Sequence, residues 1–94
     1  MISINLYDGS NQITSKNGEY KVTLEDVNGN KVDTANVNFR GDAHFSSLKS
    51  GTYTVKITPD NAEENNLWPQ NKIHIIGDIN KFNILKKSHE IINK

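Results

Sequence analysis

Three histidines, His44, His74 and His89, are the residues best equipped to bind a metal or move protons near neutral pH. A zinc site wants such ligands at close spacing, as in HxH or HxxxH, or gathered by the fold, and these three sit on separate segments. There are no cysteines, so thiolate ligands, disulfides and cysteine nucleophiles are excluded together. No serine lies in a GxSxG turn, and Ser46 and Ser47 read as ordinary strand or turn residues. Eleven acidic residues supply carboxylates, but no pair is singled out for hydrolysis by its placement. The sequence predicts a chain that is not an enzyme and uses no cofactor and no metal.

Two short motifs invite sharper readings. Arg40-Gly41-Asp42 is a tripeptide that can engage integrins from a loop tip, yet Gly-Asp is also ordinary turn chemistry. Asp26, Asn28, Asn30 and Asp33 in DVNGNKVD offer oxygens at the spacing of a calcium loop. An EF-hand needs glycine at its sixth position and a bidentate glutamate at its twelfth, and both are missing. Asn28-Gly29 is instead the dipeptide best able to take the positive φ angles of a type I′ hairpin turn.

Trp68, the single tryptophan, lies in the polar stretch NNLWPQN. Displayed, its ring would form a platform for stacking on sugars, with Asn65, Asn66 and Gln70 beside it as hydrogen-bonding ligand contacts. Folded back with Leu67, it would instead cover the open end of a thin core, the commoner fate of a large aromatic.

The elements that must position these residues are short. Ninety-four residues make one domain with a modest core, and about a quarter of them are Ile, Leu, Val or Phe. Eleven basic residues balance eleven acidic ones, which leaves no cationic excess for phosphates and predicts that nucleic acid is not a partner. No apolar run exceeds two residues, so membrane insertion is not expected, and the first residues lack the pattern of a signal peptide. Fourteen asparagines suit a β protein rich in loops.

Period-two alternation places Ile2, Ile4 and Leu6 on one strand face, and Tyr20, Val22 and Leu24 on another. A hairpin follows at Asn28-Gly29. The next segment changes phase: Ala35, Val37 and Phe39 share a parity that Val32 does not, which calls for a bulge near Asp33-Thr34. After a turn at Gly41-Asp42, Ala43, Phe45 and Leu48 point inward, and then Tyr53, Val55 and Ile57. Pro59 and Pro69 bracket a polar stretch in which Asp60 or Asn61 could cap one helical turn. KIHII and KFNIL close the pattern with Ile73, Ile75, Phe82 and Ile84 inward. The sum is an all-β, antiparallel, immunoglobulin-like sandwich of about seven strands over residues 1–87, with 88–94 as a tail or linker.

The stretches GEYKVTLEDVNGNKV and GDAHFSSLKSGTYTV resemble the prealbumin-like, B-type repeats of bacterial surface proteins such as collagen adhesins, pilins and serine-aspartate-repeat proteins. Val22, Leu24, Asp26, Gly29 and Asn30 match a strand of the form VxLxDxxGN; Gly41, Phe45, Leu48, Gly51, Tyr53 and Val55 match GxxxFxxLxxGxYxV. The resemblance implies a prealbumin-like sandwich that is extracellular or attached to the cell wall. Many such repeats carry an isopeptide bond from a first-strand lysine to a last-strand asparagine, aided by a buried acid. Here ISINLYD has no lysine and Ile57 stands where the acid often follows the YxV element, so Asn83 lacks both helpers and no such bond is expected.

Two functions remain in view. One is a structural spacer whose partners are the neighbouring domains of a larger surface protein. The other is a module that binds a polysaccharide or a host matrix protein through the Trp68 loop.

Overall fold

The computed structural model describes residues 1–16 and 18–87, so the tail expected at 88–94 lies outside the described residues. Among the described residues eight strands form two sheets: β1 (Ile2–Asp8), β2 (Asn11–Gln12), β3 (Tyr20–Glu25), β4 (Lys31–Asn36), β5 (Asp42–Phe45), β6 (Gly51–Pro59), β7 (Asn71–Ile75) and β8 (Asn80–Leu85). One sheet has the order β4-β3-β6-β7, antiparallel throughout. In the other, β1 is central, with β5 and then β2 along one edge and β8 along the opposite edge. The fold is the expected all-β sandwich, with one extra strand in the two-residue β2.

Alternation explains the core. Ile2, Ile4, Leu6, Ala43, Phe45 and Ile84 of the first sheet face Val22, Leu24, Val55, Ile57, Ile73 and Ile75 of the second, all buried. Each fully buried aliphatic side chain contributes about 1.5–3 kcal/mol, which is how short strands hold together. Ile13 and Leu48 pack against this core from its margins.

Four details depart from the sequence pattern. The pairing of β1 with β8 is parallel, from Ile2 opposite Asn80 to Tyr7 opposite Leu85. Residues 76–79 carry the chain from β7 in one sheet to β8 in the other, so the two closing strands are not a hairpin. The β3–β4 hairpin is present, but only Gly29 has a positive φ, at 84°. Gly29 N–H donates to Asp26 O at 3.0 Å, and Asp26 N–H to Asn30 O at 2.9 Å. That is a type I turn closed by a left-handed glycine, not the type I′ form. The phase change falls at Val32, between the pairs Leu24–Asp33 and Glu25–Lys31, one residue before the place the pattern suggested.

The fourth departure concerns Phe39. Parity with Ala35 and Val37 pointed it inward, but β4 ends at Asn36, Val37 is the last buried residue, and Phe39 is 68% exposed. A turn beginning at Asn38 breaks the alternation.

The sandwich has two poles. Met1, the turn at 26–30 and the links at 46–50 and 76–79 gather at one, where Asn80 N–H donates to Met1 O at 3.2 Å and Gly77 N–H to Ser50 Oγ at 3.1 Å. Segments 9–16, 18–19, 37–41 and 60–70 meet at the other, where Lys86 N–H donates to Tyr7 O at 2.8 Å and Lys87 N–H to Leu67 O at 2.6 Å.

Candidate functional site

The pole where 9–16, 18–19, 37–41 and 60–70 meet carries the candidate residues, beginning with the turn from Asn38 to Asp42. Gly41 N–H donates to Asn38 O at 2.9 Å, while Asn38 Oδ1 accepts from Arg40 N–H at 2.9 Å and from Asp42 N–H at 3.0 Å. Asparagine at the first position, with its side chain bridging the turn, is a local solution that needs no distant support. Distant support is present as well. Ser15 Oγ donates to Asn38 O at 2.9 Å, and Ser15 N–H to Phe39 O at 3.3 Å. Leu6 N–H donates to Gly41 O at 2.9 Å, tying the turn to β1.

Gly41 is required there on two counts. Its φ is +88°, and a Cβ would lie 2.5 Å from the Ile13 carbonyl oxygen. Asp42 is equally committed: its Oδ1 accepts hydrogen bonds from both Asn5 Nδ2 and Gln12 Nε2. The side chain of Asp42 is only 16% exposed, against 65% for Arg40. The Arg40-Gly41-Asp42 tripeptide thus has one displayed charge and two residues consumed by the fold, which is the turn reading of that motif.

Phe39 and Arg40 are what the turn presents outward. The Arg40 guanidinium stands over the Phe39 ring, 5.6 Å from its centroid. The ring also lines a shallow depression of about 400 Å³ with Thr14, Ser15, Lys16 and Glu19. A neighbouring depression of about 320 Å³ shares Lys16 and Glu19 and extends to Gly18 and Asp60. Glu19 Oε1 accepts from Lys16 N–H at 2.9 Å, which fixes the carboxylate at the rim.

The second segment, 60–70, is organised around burial. A 3-10 helix spans Ala62–Leu67, and Asn61, of the two candidate caps, supplies the side-chain oxygen that accepts from Glu63 N–H at 3.0 Å. Trp68 ends the helix and turns back into the core at 5% exposure, edge-on to Tyr20 with ring centroids 5.7 Å apart. The indole is therefore core cover, and no stacking surface is displayed at Trp68. Asn65, Asn66 and Gln70 are exposed around it. Trp68 Nε1 is buried with no hydrogen-bond partner among the described residues, and the ring is held by apolar packing.

Tyr20 joins the two segments. Its hydroxyl donates to Glu64 Oε1 at 2.9 Å, and the Lys86 ammonium lies 3.6 Å from the same oxygen. Burial first, then the bond to Glu64 and its charge, push the Tyr20 phenol above the ordinary tyrosine range.

The remaining motifs resolve into structure. Asp26 Oδ1 accepts from Asn28 N–H at 2.9 Å and Asn30 N–H at 3.0 Å, and the bond from the Asn30 backbone does most to hold its carboxyl below the usual range. The supposed calcium loop is a hairpin stapled by its own aspartate. His44 and His74 are exposed on different sheets, with His74 Nδ1 3.2 Å from Thr52 Oγ1. Among the described residues no three His, Asp or Glu side chains converge as a metal site would require.

Sequence reasoning passed over Phe39, although the signal for it was present. Asn at the first and Gly at the fourth position of NFRG mark a type I turn, which ends the strand alternation at Val37. With this geometry in place, comparison with known proteins adds one match. The family model described as the MBG domain matches residues 4–84. No curated protein matches the chain.

Proposed function

The chain belongs to the MBG-domain family, a β-rich domain of bacterial surface proteins, and from that premise we propose that it is a non-catalytic spacer that carries load between neighbouring domains. The observation that carries this reading is the parallel pairing of β1 with β8 over six residue pairs, from Ile2–Asn80 to Tyr7–Leu85. Because the two strands run the same way, β1 begins at one pole and β8 ends at the other. Tension applied at Met1 and Lys87 pulls them in opposite directions along their length. All their inter-strand hydrogen bonds are then loaded together in shear, and none can be peeled off before the rest.

The side chains reinforce that clamp. Ile2, Ile4 and Leu6 on β1 and Ile84 on β8 are buried against the second sheet, so sliding would also expose apolar surface. The clamp is non-covalent in this reading: β1 contains no lysine, and Asn83 stands opposite Asn5, so no isopeptide bond forms. An intact denatured mass equal to that of the unmodified chain is the expected result; a deficit of one ammonia contradicts it.

The finer placement follows from the same residues. The VxLxD and GxYxV stretches, whose Val22, Leu24, Tyr53 and Val55 fill the core, support a kinship with prealbumin-like B-type repeats. Such a module acts outside the cell or in the cell wall, with flanking domains as its partners. Capture of a polysaccharide or matrix protein by 65–70 is the weaker reading, because the tryptophan it relies on faces the core.

Single-molecule force measurement tests the spacer. Handles at Met1 and Lys87 load β1 and β8 in shear; handles at Met1 and Asn80, on neighbouring strand ends at one pole, peel them apart. The expected result is a clearly higher unfolding force in the first geometry. Equal forces in the two geometries overturn the reading.

A further inference from the structure

We infer that the Phe39 turn, together with Thr14, Lys16 and Glu19 beside it, is a binding site for a neutral oligosaccharide that stacks on the Phe39 ring. The first observation is an imbalance. The other aromatic rings among the described residues are buried or half-buried, whereas Phe39 is 68% exposed on a backbone with almost no freedom. Asn38 Oδ1 holds the turn from within, Ser15 holds it from the side, and Gly41 is locked against Ile13. A ring fixed in water by this many bonds contributes little to the core and is already ordered for an external contact.

The surroundings identify the kind of ligand. Beside the ring, Thr14 and Lys16 supply hydrogen-bond donors and Glu19 supplies acceptors, with Asp60 at the far end of the adjoining depression. The depressions hold charges of both signs, Lys16 against Glu19 and Asp60, and Arg40 beside the ring lies 4.0 Å from Asp42, so no cluster of one sign is present to select a charged ligand. An apolar ring face flanked by both donors and acceptors suits a pyranose, whose C–H face packs on an aromatic while its hydroxyls both give and take hydrogen bonds. The shallow form of the depressions suits a chain lying across the surface. A bound peptide would be expected at a free sheet edge, in a longer apolar groove or against charges of one sign, and this pole offers none of these at Phe39.

This site is additional to the spacer role, and the two fail independently, since the force geometry does not involve Phe39. The test is a heteronuclear NMR titration of the labelled protein with neutral oligomers of glucose, galactose and N-acetylglucosamine, and with oligogalacturonate as the carboxylated control. The expected result is saturable shifts confined to 14–19 and 38–41 with at least one neutral oligomer. Affinity should fall roughly tenfold in Phe39→Ala, at unchanged thermal stability. Glu19→Gln should weaken binding by a smaller factor. No saturable shift with any neutral oligomer, binding undiminished in Phe39→Ala, or shifts centred on 65–70 would each overturn the proposal. So would tighter binding of oligogalacturonate, which would mark an anionic ligand, or shifts at Phe39 that depend on protein concentration alone, which would mark a second copy of the chain.

Discussion

The turn at Asn38–Asp42 and the segment at Asn61–Gln70 lie at the same pole, and each carries one prominent aromatic, yet they use it in opposite ways. Trp68 is inserted, edge-on to Tyr20, and its indole N–H has no partner among the described residues. Phe39 is held out in water by a turn that Asn38 Oδ1 bridges from within and Ser15 ties from the side. In the first segment apolar packing decides where the ring goes; in the second, hydrogen bonding fixes the backbone and the ring is left over. Local hydrogen-bond chemistry therefore decides exposure here more than the size of the ring does.

The comparison breaks most sharply at Trp68. Trp68→Ala should cost about 3–5 kcal/mol in urea unfolding, because it empties a core position that no neighbouring side chain can refill. A cost comparable to that of a surface substitution would mean that the ring is displayed, and would restore the sugar platform to the 65–70 loop.

The next largest effect belongs to the other segment. Gly41→Ala must accept a left-handed backbone and a Cβ 2.5 Å from Ile13 O, so about 3 kcal/mol or more is expected. Gly29→Ala is the control. It shares the left-handed backbone, at φ +84°, but has nothing within 4 Å of its Cβ, and should cost only about 1–2 kcal/mol. Equal losses at the two glycines would show that the contact with Ile13 is not what fixes the Phe39 turn.

Tyr20 sharpens the comparison through pH. Its folded pKa is raised above the unfolded value, so the neutral phenol contributes stability that is fully present below the unfolded pKa near 10. That contribution is lost as pH rises from there toward the folded value. Wild-type protein should thus lose stability on the alkaline side of pH 10 by this route. Tyr20→Phe should be less stable at neutral pH by about 1.5–3 kcal/mol, from the lost bond to Glu64, and flatter above pH 10. An alkaline limb unchanged in the variant would place the titration elsewhere.

Much of the scaffold was legible because a sheet with one buried face writes its alternation into the chain. Ile2, Ile4, Leu6, Tyr20, Val22, Leu24, Tyr53, Val55 and Ile57 all lie where period-two reading puts them. The parallel union of β1 and β8 was not legible, since alternation fixes which face a residue takes and carries nothing about the direction of its neighbour. Phe39 was misread for a nearer reason. Parity was carried two residues too far, through an asparagine and a glycine spaced as a type I turn. The carboxylate of Asp42 was beyond reach in sequence, because Asn5 and Gln12, which engage it, are distant along the chain.

The smallest expected effect is the one that separates the two aromatics most cleanly. Phe39→Ala removes a ring that is already in water and a cation–π contact with an exposed arginine, which is worth about 0.5–1 kcal/mol at most. The turn beneath it keeps all its bonds, since they run through Asn38, Ser15 and backbone groups. Stability in urea should therefore change by no more than about 1 kcal/mol, close to the range of ordinary surface substitutions. A loss approaching that of Trp68→Ala would show that Phe39 packs on the fold after all, and would remove the excess exposure on which a ligand at this turn depends.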